Sequence, residues 1–146
     1  MEDGQFSTTN GTAEGTASLE ARGGDLRAAL EAGLRALLVL TGVNQAPPPT
    51  AVRSVPVQGE GEDPALLFAD LAESLLEEIE QFGAGIAQVA LDGVLRRDDG
   101  GYRAWGYAGG TLDPAPLGAT PRLAGVPVVS DDGSHGVVLR ASLRRS

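Results

Sequence analysis

Apolar positions along the chain switch repeatedly between a two-residue and a helical period, and the switches predict an alternating set of elements. Residues Met1 to Asn10 are polar and read as a frayed start. From Thr12 to Arg22 the pattern alternates loosely, with Ala17, Leu19 and Ala21 on one face, as in a strand. Gly23-Gly24 breaks it. Leu26, Leu30, Leu34, Leu37 and Leu38 then recur at helical spacing, which predicts a helix over Asp25–Leu40 with Gly42 as its stop. Pro47-Pro48-Pro49 cannot continue that helix. Val52, Val55 and Val57 suggest a strand, and Pro56 assigns it to a sheet edge or a bulge, because proline donates no ladder hydrogen bond.

Asp63-Pro64 carries the chemistry of a helix start, with a carboxylate to cap free N–H groups and a ring suited to the first helical position. Leu67, Leu71, Leu75 and Ile79 follow at helical spacing, widened by Leu66, Phe68 and Leu76, so a helix is predicted over Asp63–Gln81. Glu73, Glu77, Glu78 and Glu80 take its polar side. Ile86 to Leu95 and Tyr102 to Tyr107 read as strands joined at Asp98-Asp99-Gly100-Gly101, a sequence suited to a hairpin turn. Pro114 to Pro121 is irregular. Leu123–Val129 and Val137–Leu143 form a last pair around Asp131-Asp132-Gly133. The order β-α-β-α-β-β-β-β predicts an α+β fold, with two helices packed on a mostly antiparallel (mixed) β-sheet. The expected organisation is a flexible N-terminus over 1–11, one domain over 12–143 and a tail over 144–146.

Composition narrows the functional classes. The chain has 146 residues, enough for one domain with a real core. Its net charge is −9 and all its basic residues are arginine. That balance opposes broad phosphate binding, which needs a basic face. No cysteine is present, which excludes disulfides, thiolate metal sites and a cysteine nucleophile. No segment has the length of a membrane span or the pattern of a secretory leader, so a cytoplasmic location is expected.

Candidate chemistry is sparse. His135 is the single histidine, and with Ser134 and Asp132 it invites a hydrolase reading. The three are neighbours in one turn, whereas a triad draws its members and an oxyanion hole from separate segments. Gly83-Ala84-Gly85 follows a helix and opens none, so it reads as a helix stop and not as a dinucleotide fingerprint. Glu60, Glu62 and Asp63 form an acidic loop without calcium-loop spacing, and read as a solvated cap. Asn10-Gly11-Thr12 matches a glycosylation acceptor, without meaning in a cytoplasmic chain. Trp105 and Tyr107 share a strand face three and five positions beyond Tyr102; core packing is expected, with an exposed aromatic patch for a partner as the alternative. Arg140, Arg144 and Arg145 are the one positive cluster. No nucleophile, acid/base pair or metal ligand set stands out, so no enzyme activity and no catalytic, cofactor-binding or metal residue is assigned.

Four stretches, taken in order, resemble the archease family. Ala21-Arg22-Gly23-Gly24-Asp25-Leu26 resembles the family's strand-end "A-aromatic-G-x-x-L" entry into its first helix. Gly59-Glu60-Gly61-Glu62-Asp63-Pro64-Ala65-Leu66-Leu67 is similar to its acidic loop before the second helix. Trp105-Gly106 followed by Leu112-Asp113-Pro114 looks like its "G-E-x-L-D-P" loop, and Leu123-Ala124-Gly125-Val126-Pro127-Val128 stands where the family has a "T-Y-H-G-L-x-V" strand. The resemblance implies an α+β archease fold. It also implies an accessory role at a tRNA-splicing RNA ligase, promoting its guanylylation and repeated turnover by protein contact, with a bound divalent cation such as calcium.

The chain departs from the family at the cation ligands. The family's "D-H-T-A-D" loop is Asn10-Gly11-Thr12-Ala13-Glu14 here, which keeps one carboxylate, Glu14. Val137-Val138-Leu139 is followed by Arg140 where the family has Asp. Hard cations need several oxygen ligands, commonly with more than one carboxylate, and a guanidinium opposes them. The expectation is an archease-like modulator whose cation site is lost, with Arg140 neutralising Glu14 or another nearby acid. The alternative is a non-catalytic binding module of the same fold with an unrelated protein partner. The charge balance adds a test: the isolated protein should leave labelled tRNA unshifted at physiological salt, and a salt-dependent shift at sub-micromolar protein would contradict it.

Overall fold

A computed structural model describes residues 4–10, 16–41, 53–82, 86–110, 121–131 and 136–144. Its elements are β1 (Gln5–Asn10), β2 (Thr16–Gly23), α1 (Leu26–Thr41), β3 (Arg53–Gly61), α2 (Pro64–Phe82), β4 (Ile86–Arg96), β5 (Tyr102–Gly110), β6 (Arg122–Leu123), β7 (Val128–Asp131) and β8 (Val137–Arg144). Both helices begin on an aspartate cap. Asp25 accepts the Ala28 N–H at 2.8 Å and Asp63 accepts the Leu66 N–H at 2.9 Å, so each carboxylate satisfies a donor that the first turn leaves free.

Among the described residues the strands form two sheets and every ladder is antiparallel. One runs β1-β2-β8, with β6 and β7 following one another along the far side of β8. The other runs β3-β5-β4. The α+β class is as expected, but a single sheet is not. Helix α1 packs against β1, β2 and β8 and also against β4, while α2 packs on β3 and β5 and reaches β6 and β7. The helices therefore bridge the sheets over one continuous core.

That core is the leucine stripe read from the sequence. Leu30, Leu34, Leu37, Leu67, Leu71 and Leu75 are all fully buried, with Phe68 and Ile79 beside them. Leu66 is the exception in the predicted stripe: it is 39% exposed, one position off the buried face in the first turn of α2. Glycines set how closely α2 lies on β3. A Cβ on Gly61 would stand 2.4 Å from the Leu67 nitrogen, and one on Gly59 would stand 2.8 Å from the Leu71 nitrogen.

Other differences have local causes. Residues 5–10 form a strand where a frayed start is expected: all six pair with β2, and apolar alternation does not reveal this ladder because Phe6 is its one large apolar residue. Strand Leu123–Val129 is split into β6 and β7, because Gly125 takes φ +90° and Pro127 donates no hydrogen bond. Arg144 ends β8, paired with Thr16 and Arg122, and does not lie in a tail. Pro56 does lie on an edge strand, since among the described residues β3 pairs only with β5. Among the described residues no helix is long and apolar enough to cross a membrane.

One buried charge joins α1 to the second sheet. Glu31 is 9% exposed and lies between Arg27 and Arg35, at 3.2 and 3.1 Å. Its carboxylate accepts the Leu91 N–H at 2.9 Å, and Arg27 donates to the Leu91 carbonyl at 3.2 Å. The β4 ladder shifts register between Leu91 and Gly93, immediately after this clamp. Urea denaturation separates the two kinds of contact. Leu71→Ala should cost about 2–5 kcal/mol, as large-to-small core changes do. Glu31→Ala should cost about 1–3 kcal/mol, because it orphans the Leu91 N–H. Its two arginines keep access to water, so the larger penalty for stranding buried charges does not apply. A neutral result at either position would contradict the corresponding packing.

Candidate functional site

Each sequence candidate has a definite fate. Glu14, Asp132, Ser134, His135, Gly83 to Gly85, Leu112 to Pro114 and Arg145 lie outside the described residues. Among the described residues, no group of three or more His, Asp or Glu side chains is gathered as a metal would need. The remaining candidates fall on three surfaces.

The first is the outer face of the five-stranded sheet. Alternation turns Ala17, Leu19 and Ala21 of β2 and Leu139, Ala141 and Leu143 of β8 inward, which leaves Ser18, Glu20, Arg22, Arg140 and Ser142 outside. The register places Glu20 opposite Arg140. Arg22 donates to the Glu20 carboxylate at 3.0 and 3.2 Å, and Arg140 Nε approaches its other oxygen at 3.4 Å. The carboxylate of Glu20 is thereby held below its usual range, chiefly by its hydrogen bonds to Arg22 and then to Arg140. Beside this triplet Val126 and Val128, both more than half exposed, wall a groove of about 300 Å³ floored by Ser18, Ser142 and Arg140.

Two guanidinium groups on one carboxylate leave this surface with a net positive charge, so the residues described here do not fit a divalent cation. Arg140 does neutralise a nearby acid, and that acid is Glu20. The signal was available in the sequence as strand alternation alone, since Glu20 and Arg140 are both outward positions; their register was not.

The second surface is a cleft of about 840 Å³ between the β3–α2 connection, α2 and the β6 region. Glu60, Glu62, Asp70 and Glu73 line it with Leu66, Leu76 and Leu123, while Arg122 stands at its edge, paired with Glu80 at 3.1 Å. The acidic loop is partly structural. Asp63 caps α2, and Glu60 meets Arg97 of the β4–β5 hairpin at 3.4 Å. In that hairpin Asp99 accepts the Gly101 N–H at 2.9 Å, which holds its carboxyl below the usual range.

The third is the outer face of the three-stranded sheet. Ala104 and Ala108 point inward, so Arg103, Trp105 and Tyr107 point away from the core. Trp105 is 39% exposed and its indole covers Gly93, which the bulged β4 ladder sets opposite it. The expectation of a core tryptophan is therefore corrected: small residues, not the aromatics, meet α2 here. Tyr102 packs partly against the core, with the Arg96 guanidinium 5.4 Å from its ring centre.

No family model and no curated protein matches the chain. The fold does have a solved counterpart. The solution structure of Methanobacterium thermoautotrophicum protein 1598, a structural genomics target, is similar with a TM-score of 0.57 and 19% sequence identity, covering 100% of both chains. The likeness shows the fold, over the whole length of each protein.

The Glu20 triplet makes a checkable electrostatic statement. In an NMR titration the Glu20 carboxyl should protonate below the ordinary glutamate range. Arg22→Ala should raise it more than Arg140→Ala. A folded value depressed below the unfolded one stabilises the protein above the unfolded value, and that contribution is lost as pH falls through the folded value. An unshifted Glu20 in either variant would contradict the pairing.

Proposed function

We propose that this chain is a divergent archease-like accessory protein. In this reading it modulates a tRNA-splicing RNA ligase, or a related RNA-processing enzyme, by protein contact, and it is not itself an enzyme. The observation that carries the reading is the Glu20–Arg140 pair across β2 and β8. Arg140 follows the apolar run Val137–Leu139 at the point where the family's last strand carries aspartate. A guanidinium there supplies fixed positive charge next to a carboxylate, as a bound cation would, but without dependence on an ion. Support also comes from the order of the four resembling stretches, taken with an α+β fold of two helices on antiparallel sheets.

The acidic surface favours acting through a protein rather than through RNA directly. With net charge −9, the chain gains little from contact with phosphates. What it offers a partner enzyme is a set of surfaces on a rigid core.

The decisive assay adds the chain to a tRNA-splicing RNA ligase and follows guanylylation and multiple-turnover ligation, with calcium or with a chelator. Stimulation equal in both conditions is expected. Calcium should leave the melting temperature unchanged, because a ligand stabilises only when it binds the native state. Absence of stimulation would favour a binding module with an unrelated partner. Micromolar calcium binding by titration calorimetry would restore the family's cation site and overturn the ion-independent reading.

A further inference from the structure

The cleft between α2 and the β6 region joins an apolar floor to an acidic rim. Leu66, Ala69 and Leu76 form the floor on the α2 side, and Leu123 lines it from β6. From Leu66 to Leu76 that floor runs about 15 Å along the helix, at 1.5 Å per residue. Leu66 is the one leucine of α2 that the core does not bury, and it stands where the cleft opens.

The rim carries Glu60, Glu62, Asp70 and Glu73, and its one cation, Arg122, is already bonded to Glu80. Exposed or part-buried carboxylates elsewhere have arginine partners, as Glu20, Glu31 and Asp99 do. Among the described residues Glu62 and Glu73 meet none. The remaining segments of the chain cannot supply the counter-charge. Of the 11 arginines only Arg145 falls outside the described residues, and the stretch 111–120 leading into β6 holds Asp113 and no base. One guanidinium from Arg145 would still leave the rim acidic.

We infer that this cleft docks an amphipathic helix of a partner protein, with leucine-type side chains on the α2–β6 floor and arginine or lysine beside them on the rim. Opposite charge selects that occupant. A second copy of the chain, itself at −9, and a nucleic acid are both repelled by the same carboxylates. The docking mode follows from β6, which is two residues long and offers too short a ladder for strand addition, so side chains in a groove carry the contact. The rim orients the incoming helix, and the apolar floor sets how long it stays. This holds whether or not the partner is an RNA ligase.

Fluorescence anisotropy on the full chain, at physiological salt, tests the inference. The probe is a labelled peptide of about three helical turns, with leucines on one face and arginines beside them. The control peptide has glutamate for every arginine. The unmodified chain should bind the first at micromolar concentration and not the second. Because an acidic protein attracts any cationic peptide, variants separate the cleft from net charge. Glu62→Lys/Glu73→Lys should weaken binding about tenfold or more. Asp92→Lys/Asp98→Lys makes the same change in charge on β4 and its hairpin, and should weaken it about twofold at most, since distant charges are screened. Leu66→Ser, which leaves the charge unchanged, should also weaken it about tenfold. All five positions are exposed, so the fold should persist, as circular dichroism will check. Equal losses in the two lysine variants overturn the inference, and so does undiminished binding by Leu66→Ser. An unmodified chain that binds neither peptide, its floor filled by its own residues, overturns it as well. None of these outcomes bears on the ligase assay, so the two readings stand or fall separately.

Discussion

The architecture turns on how one helix serves two sheets. Helix α1 buries residues around most of its circumference, leucines on one side and alanines on the other, and a helix that is apolar on so many sides must be enclosed. The five-stranded sheet covers one side. The other has to be met by β4, and there the contact is made by the Glu31 carboxylate on a backbone N–H rather than by hydrocarbon alone. Apolar packing is non-directional and would tolerate sliding of β4 along α1. A buried carboxylate bonded to Leu91 fixes one position, and the bulge immediately beyond it lets β5 keep its register while β4 bends. The place of the second sheet relative to the first follows from that choice.

The same device recurs at β3, where Asp70 and Ser74 of α2 bond to edge N–H groups. Helix side chains thus do two jobs in this protein. They dock a helix on a sheet, and they occupy the hydrogen-bonding groups that an edge strand would otherwise offer to another chain. The glycines at 59 and 61 belong to this arrangement, since close approach of α2 brings its short polar side chains within reach of β3.

Much of this was legible in the residues. The helices were marked by leucine spacing and by Asp25 and Asp63 ahead of them, because capping and periodicity are local. Pro56 marked an edge for the same reason. What was not legible depended on partners distant in sequence. Strand β1 has almost no apolar signal and is recognised only through its ladder with β2. The division into two sheets depends on which strands meet, and nothing local distinguishes β8 as the neighbour of β2. Trp105 was misplaced because its size suggests burial, whereas the inward positions of β5 are filled by alanines that leave room for α2. Of the outer-face charges, Arg140 stands out through the family resemblance, which expects aspartate at that place. Glu20 does not, since only the register brings the two together.

The bulge after Leu91 has one more consequence. It sets Gly93 beneath Trp105, and that indole is the single tryptophan of the chain. It lies half in water on the far side of the strand that Glu31 holds. Any loosening of β4 from β5 changes how the ring is shielded. The protein therefore carries an intrinsic fluorophore on the outer face of its smaller sheet, and its emission reports on the β4–β5 pairing there.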